Sequence, residues 1–445
     1  MNSYKVHLIV LGLAGALLGR KTFATNPLIT NQFTADPTAR VFDGKMYVYP
    51  SHDILASLGK GRVGWFCMED YHVFSSDDLN DWKDHGVIVS QDKVDWVDAK
   101  SYSMWAPDCV FKNGKYYFYF PATAKNGGFR IGVATSDKPY GPFKPETTPI
   151  EGIQGIDPCV FIDKDGQAYI YYSQGKIFVA KLKDNMMELD SLPRAINNLP
   201  ATGLLEGPFV FERNGIYYLT YPHVQKKIER LEYSIGDNPL GPFKPTGVIL
   251  DESASGCWTV HHSIVQYKDR WHLFYHDRDL SPDFDKNRSI RADYLAFNED
   301  GTIKKVVPTL RGVGLVDAKS QIQIDRYSEV SGDRVSASFL DSANKALGWK
   351  ISLPETNSWV RFNNVDFGAE NLNSLSIKAI SALGANVELR LDTADGTVLG
   401  QVEVAKGAEW KTLNTKLNNI PTGVHDLFVK SLGDASVDID WVTFK

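Results

Sequence analysis

Asp36, Asp108, Asp157 and Glu206 each open a stretch in which an apolar run, a tight turn and an aromatic-rich run follow in the same order, and His262 opens a fifth. An ionised carboxylate loses hydration when it is drawn out of water, so several brought to one place need a chemical reason. Equivalent points of a repeat become neighbours when the repeats are set around an axis. Two carboxyl groups flanking a sugar can carry out glycoside hydrolysis, one protonating the leaving oxygen and the other taking a proton from the attacking water. A third nearby raises the pKa of the acid by like-charge repulsion. The plainer alternative is that Asp-Pro and Glu-Gly end turns; it suits one site, but not equivalent sites in separate repeats.

The repeats themselves are legible. They read Asp36-Pro-Thr-Ala-Arg-Val-Phe-Asp-Gly-Lys-Met-Tyr-Val-Tyr, Asp108-Cys-Val-Phe-Lys-Asn-Gly-Lys-Tyr-Tyr-Phe-Tyr and Asp157-Pro-Cys-Val-Phe-Ile-Asp-Lys-Asp-Gly-Gln-Ala-Tyr-Ile-Tyr-Tyr, then the corresponding runs from Glu206 and His262. Their starts are 72, 49, 49 and 56 residues apart. Asp-Gly or Asn-Gly between β-branched and aromatic runs is a strong hairpin signal. Units of about 50 residues with about four short strands have the size of propeller blades. The expectation is an all-β chain: a five-bladed β-propeller over residues 25–323, whose first strands line a channel ringed by the five opening residues. Gly-Pro-Phe-Lys-Pro at 141–145 and again at 241–245 repeats late in its unit, as a returning strand and turn would. After Pro308 the phrase stops. From 324 to 445 short alternating strands such as Val387-Glu-Leu-Arg-Leu-Asp predict a β-sandwich of jelly-roll type.

The 445 residues carry a net charge of −6 with no basic stripe, which argues against a nucleic-acid partner. Residues 1–24 read as a signal peptide, with Lys5, an uncharged core from Leu8 to Gly19 and Thr-Phe-Ala24 at its end, so a secreted or periplasmic protein is expected. That core is shorter than the ~20 residues a membrane-spanning helix needs, and no span is expected. The cysteines, Cys67, Cys109, Cys159 and Cys257, show no CxxC pairing and signal no zinc site; Cys109 and Cys159 stand at matching places in apolar runs and read as buried free thiols.

Thr34-Ala-Asp36-Pro-Thr-Ala with Tyr47-Val-Tyr-Pro-Ser-His-Asp, Trp105-Ala-Pro-Asp108, Gly155-Ile-Asp157-Pro and Leu205-Glu206-Gly-Pro resemble, in order, the motifs of family 43 glycoside hydrolases. The resemblance implies a five-bladed propeller that hydrolyses with inversion, releasing α-L-arabinofuranose or β-D-xylose from plant cell-wall hemicellulose such as arabinoxylan or arabinan. It implies Asp36 as general base, Glu206 as general acid and Asp157 as the group that raises and orients the acid. Trp105 is expected to be a sugar-stacking wall, Arg288 a donor to substrate hydroxyls, and Asp108 a turn or supporting residue. Val260-His-His262 stands where the family has a channel histidine, which implies a calcium site near His262 filled mostly by water. The long aromatic insertion with Trp65 and Tyr71 resembles the arabinoxylan arabinofuranohydrolase branch, and both residues are candidates for the leaving-sugar side. No organic cofactor is implied.

The C-terminal segment, with Trp349, Trp410 and the ending Asp438-Ile-Asp-Trp-Val-Thr-Phe, resembles a family 6 carbohydrate-binding module. Trp349 and Trp410 match its sugar-clamping aromatics by context, and Asp438 stands where an Asn is expected. Arg326-Tyr-Ser-Glu329 departs from the usual Glu-Ala-Glu, which leaves a second, structural calcium open. The rivals are a galactan-acting glycosidase of the same fold and a glycan-binding propeller without catalysis.

Overall fold

The computed structural model describes residues 26–417 and 420–445, so the signal expected over residues 1–24 lies outside the described residues. Nineteen strands form five consecutive antiparallel sheets. The first holds β1 (Ala35–Phe42), β2 (Lys45–Ser51), β3 (Asp70–Ser76) and β4 (Lys83–Ser90). The second holds β5 (Asp108–Lys112), β6 (Lys115–Thr123), β7 (Phe129–Ser136) and β8 (Lys144–Pro145). The third has β9 (Ile156–Ile162), β10 (Ala168–Ser173), β11 (Ile177–Leu182) and β12 (Arg194–Ala195), and the fourth β13 (Phe209–Arg213), β14 (Ile216–Val224), β15 (Glu229–Gly236) and β16 (Lys244–Leu250). The fifth has three strands, β17 (His262–Tyr267), β18 (Arg270–Asp277) and β19 (Ser289–Leu295). Each first strand packs against the first strands of its neighbours, and β1 meets β17 to close the ring, the blade arrangement that the repeats predict.

The hairpin turns explain why the repeats fold alike. Asp43-Gly44, Asn113-Gly114 and Asn214-Gly215 all have positive φ at both residues, the pattern of a type I′ turn that matches strand twist. The fifth hairpin holds the same shape with Lys268 and Asp269 at φ 47° and 63°, without glycine. The segment before β1 edges the three-stranded fifth sheet: the Leu28 and Thr34 N–H groups donate to the Ile290 and Arg288 carbonyls, and Asn26 Nδ2 donates to the Ala292 and Thr309 carbonyls. Asp108 ties three blades together, accepting from Arg40 Nη2 (2.7 Å) and from the Val160 N–H (2.6 Å), the supporting role expected of it.

Two six-stranded sheets with an apolar interior form the C-terminal sandwich. Short strands at Val316–Asp317 and Ile322–Gln323 already pair with Trp359–Asp366 and Val437–Phe444, so sandwich pairing begins eight residues ahead of position 324. Pairs this short carry no readable alternation. All four cysteines are buried free thiols.

Candidate active site

The two aspartates followed by proline share an unusual backbone. Asp36 and Asp157 sit at the starts of β1 and β9 with φ of 46° and 55°, next to breaks in pairing between Ala35 and Thr38 and between Tyr171 and Ser173. A left-handed residue at a bulge turns its side chain out of the alternation of the strand, here toward the channel mouth. In the fourth blade the left-handed residue before the proline is Gly207 (φ 54°), so Glu206 lies one position earlier than the aspartates do. A Cβ at Gly207 would come within 2.8 Å of His261 Nδ1, and the glycine N–H donates to Asp157 Oδ2 (3.0 Å).

These residues meet in a cavity of about 240 Å³ lined by Asp36, Asp157, Glu206, Glu229, His261 and Arg288, with Trp65, Phe66, Trp105 and Trp258 among its apolar walls. A ligand pocket for a drug-sized molecule spans about 300–1,000 Å³, so this cavity suits an occupant about as small as one sugar ring. Glu206 also borders a second cavity, lined by Arg130, Gln154, Ser173 and Gln174. The glutamate stands between the two.

The two ends of the first cavity differ in charge. Arg288 is buried and donates through Nη1 and Nη2 to the two oxygens of Asp36 (2.7 and 3.1 Å), through Nε and Nη2 to Asp53 (both 3.0 Å), and through Nη1 to Thr259 Oγ1 (3.2 Å). That uses all five guanidinium N–H groups, so Arg288, expected as a donor to substrate hydroxyls, lines the cavity and clamps Asp36. Ser51 Oγ adds a bond to Asp36 Oδ2 (2.6 Å). Burial opposes ionisation of Asp36, but Arg288 and the neighbouring donors outweigh it and bring its pKa down to about 2. The Asp36 N–H donates to His276 Nδ1 (3.0 Å), leaving Nε2 to donate to Thr259 Oγ1 (2.9 Å). Burial and then Arg288 hold His276 far below its usual pKa, so it is a neutral spacer.

At the other end, burial and then the carboxylates of Glu206 and Asp36 push Asp157 well above the ordinary Asp range. Burial likewise raises Glu206. Glu229, at the start of β15, accepts the Val260 N–H at Oε2 (2.9 Å). Its buried Oε1 has no partner of good hydrogen-bond geometry and faces the Glu206 carboxyl, and burial followed by Glu206 drives its pKa well up. His261 is lowered to about 4 by burial and is neutral too.

The other expected site residues divide. Trp105 and Trp65 line the first cavity, and neither borders the second. Tyr71 is fully buried and its hydroxyl donates to the Trp105 carbonyl (2.6 Å), so it props that wall instead of touching a sugar, a correction that follows from its inward place in β3. His262 is fully buried below the cavity; its Nε2 is 2.5 Å from Thr220 Oγ1 and its Nδ1 has no partner. Asp53, Thr259, His276 and Glu229 were missed. The signal for Asp53 was in view, two residues past a strand that carries the Tyr-Pro-Ser motif, but the others sit at no repeated position.

In the sandwich, Trp349 opens one strand and Trp410 precedes Lys411–Lys416, with Val437–Phe444 and Ser374–Ile380 lying between. Two strands therefore stand between the strand that Trp349 opens and the one that Trp410 precedes, three inter-strand steps of about 4.7 Å each. Trp349 packs on Phe339 at 4.1 Å between centroids, and Lys378 lies over Trp410. Asp438 pairs with Lys350 and accepts from Ser352 Oγ (2.6 Å).

Residues 24–303 match the family model for glycosyl hydrolases family 43, and residues 333–445 that for the carbohydrate binding module (family 6). The chain is 41% identical over 326 residues to the xylosidase/arabinosidase 43A of Humicola insolens, covering 62% of this chain and 98% of that protein. It is 29% identical to the arabinoxylan arabinofuranohydrolase of Bacillus subtilis (strain 168), across 91% of this chain and 88% of the relative. Among solved structures, a β-xylosidase/α-arabinofuranosidase from a compost microbial metagenome, in complex with xylotriose and in a calcium-free form, superposes with a TM-score of 0.58 at 37% identity, covering 64% of this chain and 98% of that one.

Proposed function

The chain belongs to glycosyl hydrolases family 43, and from that membership we propose that Asp36 is its general base, Glu206 its general acid, and Asp157 the group that raises and orients the acid, with Glu229 a further buried acid beside it. The enzyme is an inverting glycoside hydrolase of hemicellulose, acting as a xylosidase or arabinofuranosidase. The observation that carries the assignment is the opposite charge environment at the two ends of one small cavity: Asp36 ionised on Arg288, and Glu206 raised among buried carboxyl groups. A pentose in the first cavity has its anomeric carbon between the two ends. Water held by Asp36 gives up a proton as it attacks, and Glu206 delivers a proton to the departing oxygen, whose aglycone extends into the second cavity. Trp65, Trp105 and Phe66 supply apolar faces for the sugar ring.

Glu229 holds a proton against the Glu206 carboxyl, so the buried carboxyl groups need not all ionise together. The orphaned Nδ1 of His262 would hold a hydrated calcium below the sugar, where the ion would add positive charge near the base. Residues 1–24 support export, and a substrate of plant cell-wall polysaccharide suits an exported enzyme; among the described residues no helix is long and apolar enough to cross a membrane.

The test is hydrolysis of aryl α-L-arabinofuranoside and aryl β-D-xyloside followed by proton NMR. Release of one pentose with the anomeric configuration inverted in the first-formed product is expected. Retention of configuration would overturn the assignment of Asp36 as a base acting through water.

A further inference from the structure

One corner of the first blade gathers side chains that the reaction does not use. His52 follows β2, Asp70 and His72 lie on one face of β3, and the pairing of Ser51 with Tyr71 brings His52 beside Asp70 across the strands. His52 Nδ1 is 2.7 Å from Asp70 Oδ1, the two imidazole centroids are 5.0 Å apart, and each of the three residues offers a ligand atom within 4.8 Å of the others. Asp84, on β4, lies 3.0 and 3.1 Å from His72 Nδ1 and is itself held by Gln32 Nε2 (2.9 Å) and the Gly86 N–H (2.7 Å). A proton on Nδ1 shared with that carboxylate leaves the His72 Nε2 lone pair free.

We propose that His52, Asp70 and His72 form a binding site for a divalent cation of the zinc class, with Asp84 orienting His72 from behind and water completing the coordination. Two imidazoles and one carboxylate suit zinc and its late first-row neighbours, whereas calcium prefers an all-oxygen set. A histidine whose far nitrogen donates to a carboxylate is the usual outer arrangement around such ions. The side chains are 15–22% exposed, so an ion and its water can enter. None of the three lines the catalytic cavity. The site is nonetheless one residue from Asp53, which holds Arg288. A cation at His52 therefore braces the strand end that carries the arginine clamp.

The experiment uses tag-free, full-length protein stripped with a chelator and titrated with Zn²⁺ by calorimetry, and with Co²⁺ by visible absorption. The expected result is about one equivalent of Zn²⁺ bound, a Co²⁺ spectrum of a low-coordinate nitrogen-containing site, and a higher melting temperature with saturating metal. His72→Gln should abolish that equivalent. Asp84→Asn should weaken binding 10–100-fold, as loss of an outer partner typically does. Should His72→Gln fail to fold, Asp70→Asn decides the same question. Absence of stoichiometric binding, or binding that survives intact in the folded variants, overturns the site.

Discussion

The Asp36 and Glu206 ends of the cavity lie in one apolar-walled chamber, and burial alone would raise every carboxyl group in it. Asp36 escapes because a single guanidinium, itself gripped by Asp53, gives two of its donors to that carboxylate. Glu206 has no such cation in contact; its close neighbour is another buried carboxyl, Glu229. Equal burial thus yields an anion at one end and a stored proton at the other, and the difference is set by partners rather than by depth.

Removing the bidentate grip should break the difference most. Arg288→Lys keeps a charge but cannot serve Asp36 and Asp53 together, so the carboxyl of Asp36 should rise from about 2 toward or beyond the ordinary range. The pH profile of kcat/KM should then show an acid limb shifted upward by one unit or more. An unmoved acid limb would mean that Arg288 does not set the charge of the base.

A smaller effect is expected at the other end. The raised pKa of Glu229 means that the unfolded chain releases this proton near pH 4 while the folded protein still holds it, so the wild type loses stability as pH rises from there through the folded value. Glu229→Gln removes that loss and keeps a donor toward Glu206. Its melting temperature at pH 7 should exceed that of the wild type by a few degrees, about 2–4 °C for each kcal/mol, with the gap closing near pH 4. A variant less stable than wild type at both pH values would show Glu229 ionised and paired instead.

The parts of the molecule readable from sequence are those fixed by local chemistry. Left-handed Asp-Gly and Asn-Gly pairs announce the hairpins, and Asp-Pro at bulged strand starts announces Asp36 and Asp157. Glu206 was found although its register differs by one, because Gly207 takes over the left-handed position. What stayed hidden depends on pairing between distant strands: Glu229 begins a third strand, and Asp53 and Arg288 are 235 residues apart and meet only when the ring closes. Tyr71 read as a candidate for the leaving-sugar side, but strand pairing turns it inward. Trp349 and Trp410 matched a binding pattern by context, and sheet order separates them.

The central claim, that Glu206 holds the proton for the leaving oxygen, is tested most directly by varying the leaving group in Glu206→Ala. Dinitrophenolate departs without protonation, whereas a sugar alkoxide does not. The account predicts that the variant loses about 10²–10⁴-fold in kcat/KM on an unactivated pentose disaccharide and far less on the dinitrophenyl glycoside. An equal loss on both substrates, or no loss on the disaccharide in a correctly folded variant, would contradict it.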